Sequence, residues 1–516
     1  MARLGIDYGT TNTVVVVADR GRYPLVPHVT ETAIGHVVRD VFPSLIAFDR
    51  VSGECTFGAE AERSLAQPDA ANRFIPIRSL KRLLRDYVDG ARVAGDIIPG
   101  GLDMQDLLGQ FATAVYGSVR RSGVVPAGEP LEAVLTWPAN ANGAQRHVTR
   151  GAFRNAGFRI TATLNEPSAA AIELADRLVH GNRAEARAVR MTVAVFDLGG
   201  GTFDASAVRI DGADYTVLGS AGIESLGGDD FDDVLARLFA DKMKIDLAEL
   251  SPFHRTLLLM GACREKERLS AGGGRTLTLD PEEIGLHGPV CSIPAATFEK
   301  RLAELIEPAV ETLAGVAAAA EKLDAVYLVG GSSRLPIVGK LVAKRFPKVR
   351  LITTDKPFTA TAMGAAIHSA ETMRVHDVLA RHFGVIRLAD SGSREYFAPI
   401  FKAGLRLPDE GCAPVTEEIR YVPHHNIGHL RYLECATVDE AGLPAAGVRH
   451  WSEVFFPYDP AIPMRERVTA SQIVARDDLG WTEAVERYAC DSDGIITVRI
   501  SRTGDRQSRT FEVSKA

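Results

Sequence analysis

Apolar residues fall into two textures along this chain. Up to about residue 374, strand-like runs such as Val14–Val17, Ala133–Thr136 and Val326–Val329 alternate with segments whose apolar positions recur at three and four. Leu107, Leu108, Phe111, Ala112 and Val115 form one such stripe, and Phe298, Leu302, Leu305 and Ile306 another; that period predicts amphipathic helices. The Ala-rich stretch Leu313–Ala320 predicts a further helix that hands over to the strand at Val326. Such alternation points to an α/β architecture. After about residue 383 the apolar segments shorten. Glu418–Val422, Leu430–Leu433, Val454–Phe456 and Ile495–Ile500 are separated by Pro, Gly and Asp, and only Ser471–Leu479 predicts a helix. Asp491-Ser492-Asp493-Gly494 is a turn signal leading into strand. This part reads as an all-β domain of roughly 130 residues.

Bulk properties narrow the class. A chain of 516 residues exceeds one ordinary domain, so two or three units are expected. The formal net charge of −7 argues against a nucleic-acid partner, despite the basic run from Arg78 to Arg85. No apolar run is long enough to span a membrane, and the N-terminus enters a strand without a secretory signal. Six cysteines are scattered without a CxxC pair, which disfavours a disulfide framework or zinc site and fits a cytoplasmic location.

The chemistry concentrates in two glycine-rich loops, each led by an aspartate behind a short apolar strand. The first is Leu4-Gly5-Ile6-Asp7-Tyr8-Gly9-Thr10-Thr11-Asn12-Thr13; the second is Val193-Ala194-Val195-Phe196-Asp197-Leu198-Gly199-Gly200-Gly201-Thr202-Phe203-Asp204. Both read as strand, tight turn, strand. Glycines let backbone N–H groups approach phosphate oxygens. Threonine hydroxyls add donors, and aspartates can hold a hydrated metal. Neither loop has the spacing of a P-loop or of GxGxxG opening a helix.

Three further segments follow in order: Leu164-Asn165-Glu166-Pro167-Ser168-Ala169-Ala170-Ala171, then Val326-Tyr327-Leu328-Val329-Gly330-Gly331-Ser332-Ser333-Arg334-Leu335-Pro336, then Thr361-Ala362-Met363-Gly364-Ala365-Ala366. Together the five resemble the phosphate loops, connecting helices and adenosine loop of DnaK-type chaperones, the 70-kilodalton heat-shock family. The resemblance implies an α/β actin-like ATPase (ribonuclease-H-like duplicated) domain over residues 1–374, an interdomain linker over 375–382, and an all-β sandwich, substrate-binding-like domain over 383–516. The closing pattern Asp493–Val498 with Arg509–Val513 resembles the end of the family's β-sandwich more loosely.

The same resemblance assigns roles. Asp7 and Asp197 would hold Mg²⁺ through water, with K⁺ as a further ion, and Gly9, Thr10, Thr11, Asn12, Gly199, Gly200 and Gly201 would contact the phosphates of ATP or ADP. Thr202 would lie beside the γ-phosphate, Asp204 would order the attacking water, and Glu166 belongs to the shell around metal and water. Lys81 aligns with the lysine that contacts the γ-phosphate. Gly227 and Gly228 would approach the phosphates, while Lys266, Ser270, Gly330, Gly331, Ser332, Ser333 and Arg334 would face the nucleoside. Each residue also has a plainer reading: Asp7 as a turn aspartate, Glu166 as a helix-start carboxylate, Lys81 as a solvated helix lysine.

Departures from the family pattern are as telling. Cys263 stands where a glutamate for the ribose is usual, and Phe358 where an aspartate is usual, so weaker adenosine contacts are expected. In the linker candidate Val375–His382, Ala380 and Arg381 interrupt the apolar run. Pro138 and Arg146 resemble the family's proline–arginine relay, although Pro138 reads equally well as a strand terminator. Family members continue into a helical lid, which the resemblance leads one to miss after Ala516. The expected function is a slow ATPase (ATP and water to ADP and phosphate) whose nucleotide state governs binding of a polypeptide client or dedicated protein partner, with a J-domain-type co-chaperone or exchange factor. The alternatives are a non-hydrolysing ATP-switched adaptor and a small-molecule kinase of the same superfamily.

Overall fold

The computed structural model describes the chain except residues 1, 33–34, 68, 88–89, 94, 96–97, 99, 180–187, 372, 390–393, 465, 480–482, 503–507 and 513–516. The chain divides into two units: one of residues 1–85, 92–140 and 152–375, the other of 86–91, 141–151 and 376–516.

The first unit is built on two mixed sheets. One has β1 (Ala2–Tyr8), β2 (Asn12–Ala18), β3 (Phe42–Pro43), β4 (Leu131–Trp137) and β5 (Phe158–Asn165), in the order β5-β4-β1-β2-β3. The other has β6 (Arg190–Leu198), β7 (Phe203–Asp211), β8 (Asp214–Ile223), β9 (Ala325–Val329), β10 (Arg350–Ile352) and β11 (Arg374–His376), in the order β10-β9-β6-β7-β8-β11. The two share a plan. β1 and β2 form an antiparallel hairpin with β4 parallel to β1; β6 and β7 form one with β9 parallel to β6. Central strands are apolar on both faces, as in β9, whose five residues are all buried. Parallel strands deliver their carboxyl ends to one edge, where open α/β sheets bind ligands.

Helices α1 (Glu166–Leu178), α2 (Gly228–Met243), α3 (Pro252–Ser270), α4 (Ala295–Ala317) and α5 (Ala360–Ala370) support that edge. The small residues of α1 and α5 have a packing reason: a Cβ on Gly364 would come within 1.7 Å of the Ala169 carbonyl oxygen. The apolar stripe beginning at Leu107 is the buried face of the helix Met104–Arg121. The stripe beginning at Phe298 and Leu313 belong to a single helix, α4, so the separate helix expected over Leu313–Ala320 is its last turn, ending at Ala317.

The second unit holds two four-stranded antiparallel sheets. β12 (His382–Ala389), β13 (Arg394–Phe401), β15 (Ile427–Cys435) and β16 (Arg449–Pro457) lie in the order β13-β12-β15-β16; β14 (Val415–Tyr421), β17 (Ala484–Cys490), β18 (Ile496–Arg502) and β19 (Ser508–Glu512) follow in sequence. Phe383, Tyr432, Trp451, Phe456, Tyr488, Val498 and Ile500 share one core. The expected turn forms: the Asp491 carboxylate accepts from the N–H groups of Asp493 and Ile495. Val513, the expected end of the last strand, lies outside the described residues.

The helix expected over Ser471–Leu479 is corrected to two short 3-10 turns, Ala470–Gln472 and Asp477–Leu479. The backbone between them is taken by distant partners. Asn426 N–H donates to the Val474 carbonyl, Arg476 N–H to that of His424, and the Asn426 side chain accepts from Val474 N–H. Along the expected linker, Arg374–His376 is a strand, and Leu379 is buried in the second unit with Arg381. Arg146 also belongs to the second unit, where its Nη1 donates to the Asp493 carbonyl at 2.9 Å. Among the described residues, no helix is long and apolar enough to cross a membrane.

Candidate functional site

A cavity of about 390 Å³ opens in the first unit at the carboxyl ends of these strands. β1 brings Asp7, and the turn after it supplies Gly9, Thr10, Thr11 and Asn12; β6 brings Asp197, with Gly199, Gly200 and Thr202 beyond it. β5 ends where α1 begins, placing Glu166 at the first helical position behind the N-cap Asn165, whose side chain accepts from Ser168 N–H at 2.7 Å. Lys81 enters from the short helix Leu80–Leu83. The far end is lined by Lys266 and Ser270 of α3, by Gly228, and by Gly330, Gly331, Ser332 and Arg334 after β9.

Four expected residues lie outside this lining, among them Ser333, whose hydroxyl donates to the Gly330 carbonyl at 2.7 Å. Asp204 faces Asp197 directly across the β6–β7 hairpin, is 2 % exposed, and accepts from Asn140 N–H at 3.3 Å. Gly201 packs against Thr10, and a Cβ on Gly227 would meet the backbone of Gly200 and Gly201. Their part is to bring the loops together. A Cβ on Gly200 would sit 2.2 Å from Thr11 Oγ1, so the two hairpins touch at these glycines.

Charge in the cavity is unbalanced. Lys81 Nζ lies 2.6 Å from Glu166 Oε1, both buried. Burial works to discharge Lys81, but Glu166 and Asp7 outweigh it and hold the ammonium charged. Burial, then repulsion from Glu166, pushes Asp7 up to about 7, and the same two causes push Asp204 up to about 7. Asp197 is raised by burial, Glu166 and Asp204. One ammonium thus faces several carboxylates from both loops. That excess of hard oxygen donors beside glycine-rich turns fits a hydrated divalent cation carrying phosphates.

Lys266, expected to face the nucleoside, lines the far end of the cavity and also holds protein partners. Its Nζ pairs with Asp232 at 2.7 Å and donates to the Gly228 carbonyl at 2.7 Å, so it braces the start of α2 while lining the cavity. Cys263 and Phe358 line the same end. The Cys263 thiol contacts Glu267 Oε1 at 3.8 Å and is pushed up to about 12, chiefly by burial. Phe358 packs beside Val14, Val16, Ala362 and Ala366.

The sequence reading missed an ion-pair latch on the first turn of α2. Arg82 Nη2 reaches Asp230 at 2.7 Å, Arg78 reaches Asp232 at 3.4 Å, and the Ser79 hydroxyl donates to Asp229. The available signals were acidic residues at a helix N-terminus and an arginine-rich segment, Arg78 to Arg85, far from it in sequence.

Comparison with known proteins places this geometry in a family. The Hsp70 protein family model matches residues 126–381. The chain is 30% identical over 381 residues to the chaperone protein HscA homolog of Pseudomonas putida, and 31% identical over 389 and 385 residues to those of Tolumonas auensis and Bordetella petrii. Each match covers 71% of this chain and 57% of the relative, so the chain spans little more than half the length of the curated relatives it matches. With both loops, Glu166 and the Gly330–Arg334 turn gathered around one cavity, the chain belongs to the Hsp70 family.

Proposed function

We propose that the first unit is an actin-like ATPase whose nucleotide state governs polypeptide binding by a β-sandwich in the second. The observation that carries this reading is the convergence of two touching, glycine-rich hairpin turns and the Lys81–Glu166 pair on a single cavity. Backbone N–H groups and the hydroxyls of Thr10, Thr11 and Thr202 would bind the phosphates. Asp7 and Asp197 would hold Mg²⁺ through water, and the ion would neutralise phosphate charge when bound. Lys81 would offset the charge that develops on the γ-phosphate. Glu166 faces the cavity and would orient the attacking water, with buried Asp204 holding the second hairpin behind it. The ordered, antiparallel sheets of the second unit support peptide binding along a strand edge or in an apolar groove. A J-domain-type co-chaperone or exchange factor is the partner class this reading implies.

A switched adaptor that binds ATP without turnover is the second reading, favoured by Cys263 and Phe358 at the nucleoside end. Single-turnover hydrolysis with Mg²⁺ and K⁺ separates the two, run on the wild type beside Thr202→Ala and Lys81→Ala. Slow hydrolysis lost in both variants supports the ATPase; tight ATP binding without turnover in the wild type supports the adaptor.

A further inference from the structure

β9 is a buried parallel strand of five residues, and a tyrosine stands at its centre. Tyr327 is fully buried, and its hydroxyl donates to Glu173 Oε2 at 2.5 Å. Glu173 lies on α1, 5 % exposed, among Ala169, Ala170, Ala171 and Ile172. Arg177, one turn on, completes the group: its Nε is 3.2 Å from Glu173 Oε1, its guanidinium lies 5.2 Å from the Tyr327 ring centroid, and its Nη1 donates to the Thr353 carbonyl at 3.2 Å.

A buried carboxylate is costly, and an apolar pair of similar volume would commonly be at least as stable. Stability is therefore a poor reason for this trio. Its location suggests another. Glu173 sits two turns after Glu166 on one helix, so the two share a helix face. Tyr327 stands just before the strand gives way to Gly330–Arg334. α1 issues from the first sheet and β9 belongs to the second. A directional hydrogen bond fixes their register, where sliding alanine contacts would not.

We propose that Glu173, Tyr327 and Arg177 form a strut that positions the two sides of the cavity, holding Glu166 in register with the nucleoside-end turn. They are positioning residues and touch no ligand. The catalytic consequence rests on the nucleotide reading above; the register itself does not.

The test uses the full chain as wild type, Tyr327→Phe, and the double variant Glu173→Leu/Tyr327→Phe, which swaps the polar pair for an apolar one of similar volume and guards against simple misfolding. Amide hydrogen exchange without nucleotide is followed at residues 166–171 and 330–334, together with the melting midpoint and single-turnover ATP hydrolysis. The expected result is exchange about tenfold faster in both segments of the double variant at a wild-type midpoint, with hydrolysis slowed by a similar factor. Exchange changes confined to the neighbours of 173 and 327, or wild-type hydrolysis in a stable double variant, would overturn the strut. If the wild type hydrolyses no ATP, the ATPase reading falls and the exchange measurement alone decides the strut.

Discussion

Lys81 and Glu166, 85 positions apart, close a buried ion pair at 2.6 Å. One rides on a four-residue helix and the other on the first position of α1, so the contact exists only when the segments are brought together by the fold. The pair sits among carboxylates that repel one another, which makes Lys81 the local counter-charge.

Replacing Lys81 by Ala leaves Glu166 buried beside Asp7 without its cation. The unfolding free energy should fall by about 3 kcal/mol, as when one partner of a buried pair is removed. Removing both charges together, in Lys81→Met/Glu166→Gln, should return most of that loss while leaving hydrolysis abolished. Urea unfolding of the three proteins checks the first point and single-turnover kinetics the second; equal destabilisation in the single and double variants would contradict it.

Gly200 has a narrower task. A valine there would drive a side chain into Thr11 and part the hairpins. ADP with Mg²⁺ should raise the melting temperature of the wild type, and Gly200→Val should abolish that rise while changing the ligand-free midpoint by only a few degrees. Differential scanning fluorimetry across an ADP titration reads both quantities.

How far the sequence could be read depended on how local each signal was. Asp7 and Asp197 were legible because the strand, the aspartate and the glycines are contiguous, and the hairpin follows from them. Glu166 was legible through the resemblance carried by the contiguous Asn165-Glu166-Pro167. The brace that Lys266 forms was not legible, because nothing near it in sequence announces Asp232 as its partner. Asp229 and Asp230 were passed over for the same reason, their partners Ser79 and Arg82 being distant in sequence. The helix expected at Ser471–Leu479 failed where backbone groups of His424 and Asn426 claimed the hydrogen bonds a helix needs. Tyr327 in an apolar strand pattern gave no hint of Glu173.

Acid should weaken the fold through a buried histidine. His28 is 4 % exposed, its Nδ1 lies 2.8 Å from Ser118 Oγ, and burial pushes it from 6.5 down to about 4. The unfolded chain takes up this proton near 6.5 and the native chain only near 4, so the contribution is present above 6.5 and lost as pH falls through that window. The loss is about 1.4 kcal/mol per pH unit for this group. His28→Gln should flatten the stability profile by that slope between pH 6.5 and 4. Urea midpoints of both proteins across the range measure it, and parallel profiles would refute it.

The nucleoside end offers the last prediction. Cys263 presents a neutral thiol to the cavity, one turn before Glu267, and the family's usual residue there is an acid that reaches the ribose. A thiol is a weak hydrogen-bond partner, whereas a carboxylate accepts strongly from hydroxyls. Cys263→Glu should tighten ATP and ADP binding by about tenfold, the return of one charge-assisted hydrogen bond. Lys266 and Arg78 favour the charge on the new acid, against burial and the repulsion of Asp232 and Glu267. Isothermal titration with ADP, beside Cys263→Gln as a neutral control of similar size, is the check. Tighter binding in the glutamate variant alone locates the ribose at Cys263; unchanged or weaker binding places the nucleoside elsewhere in the cavity.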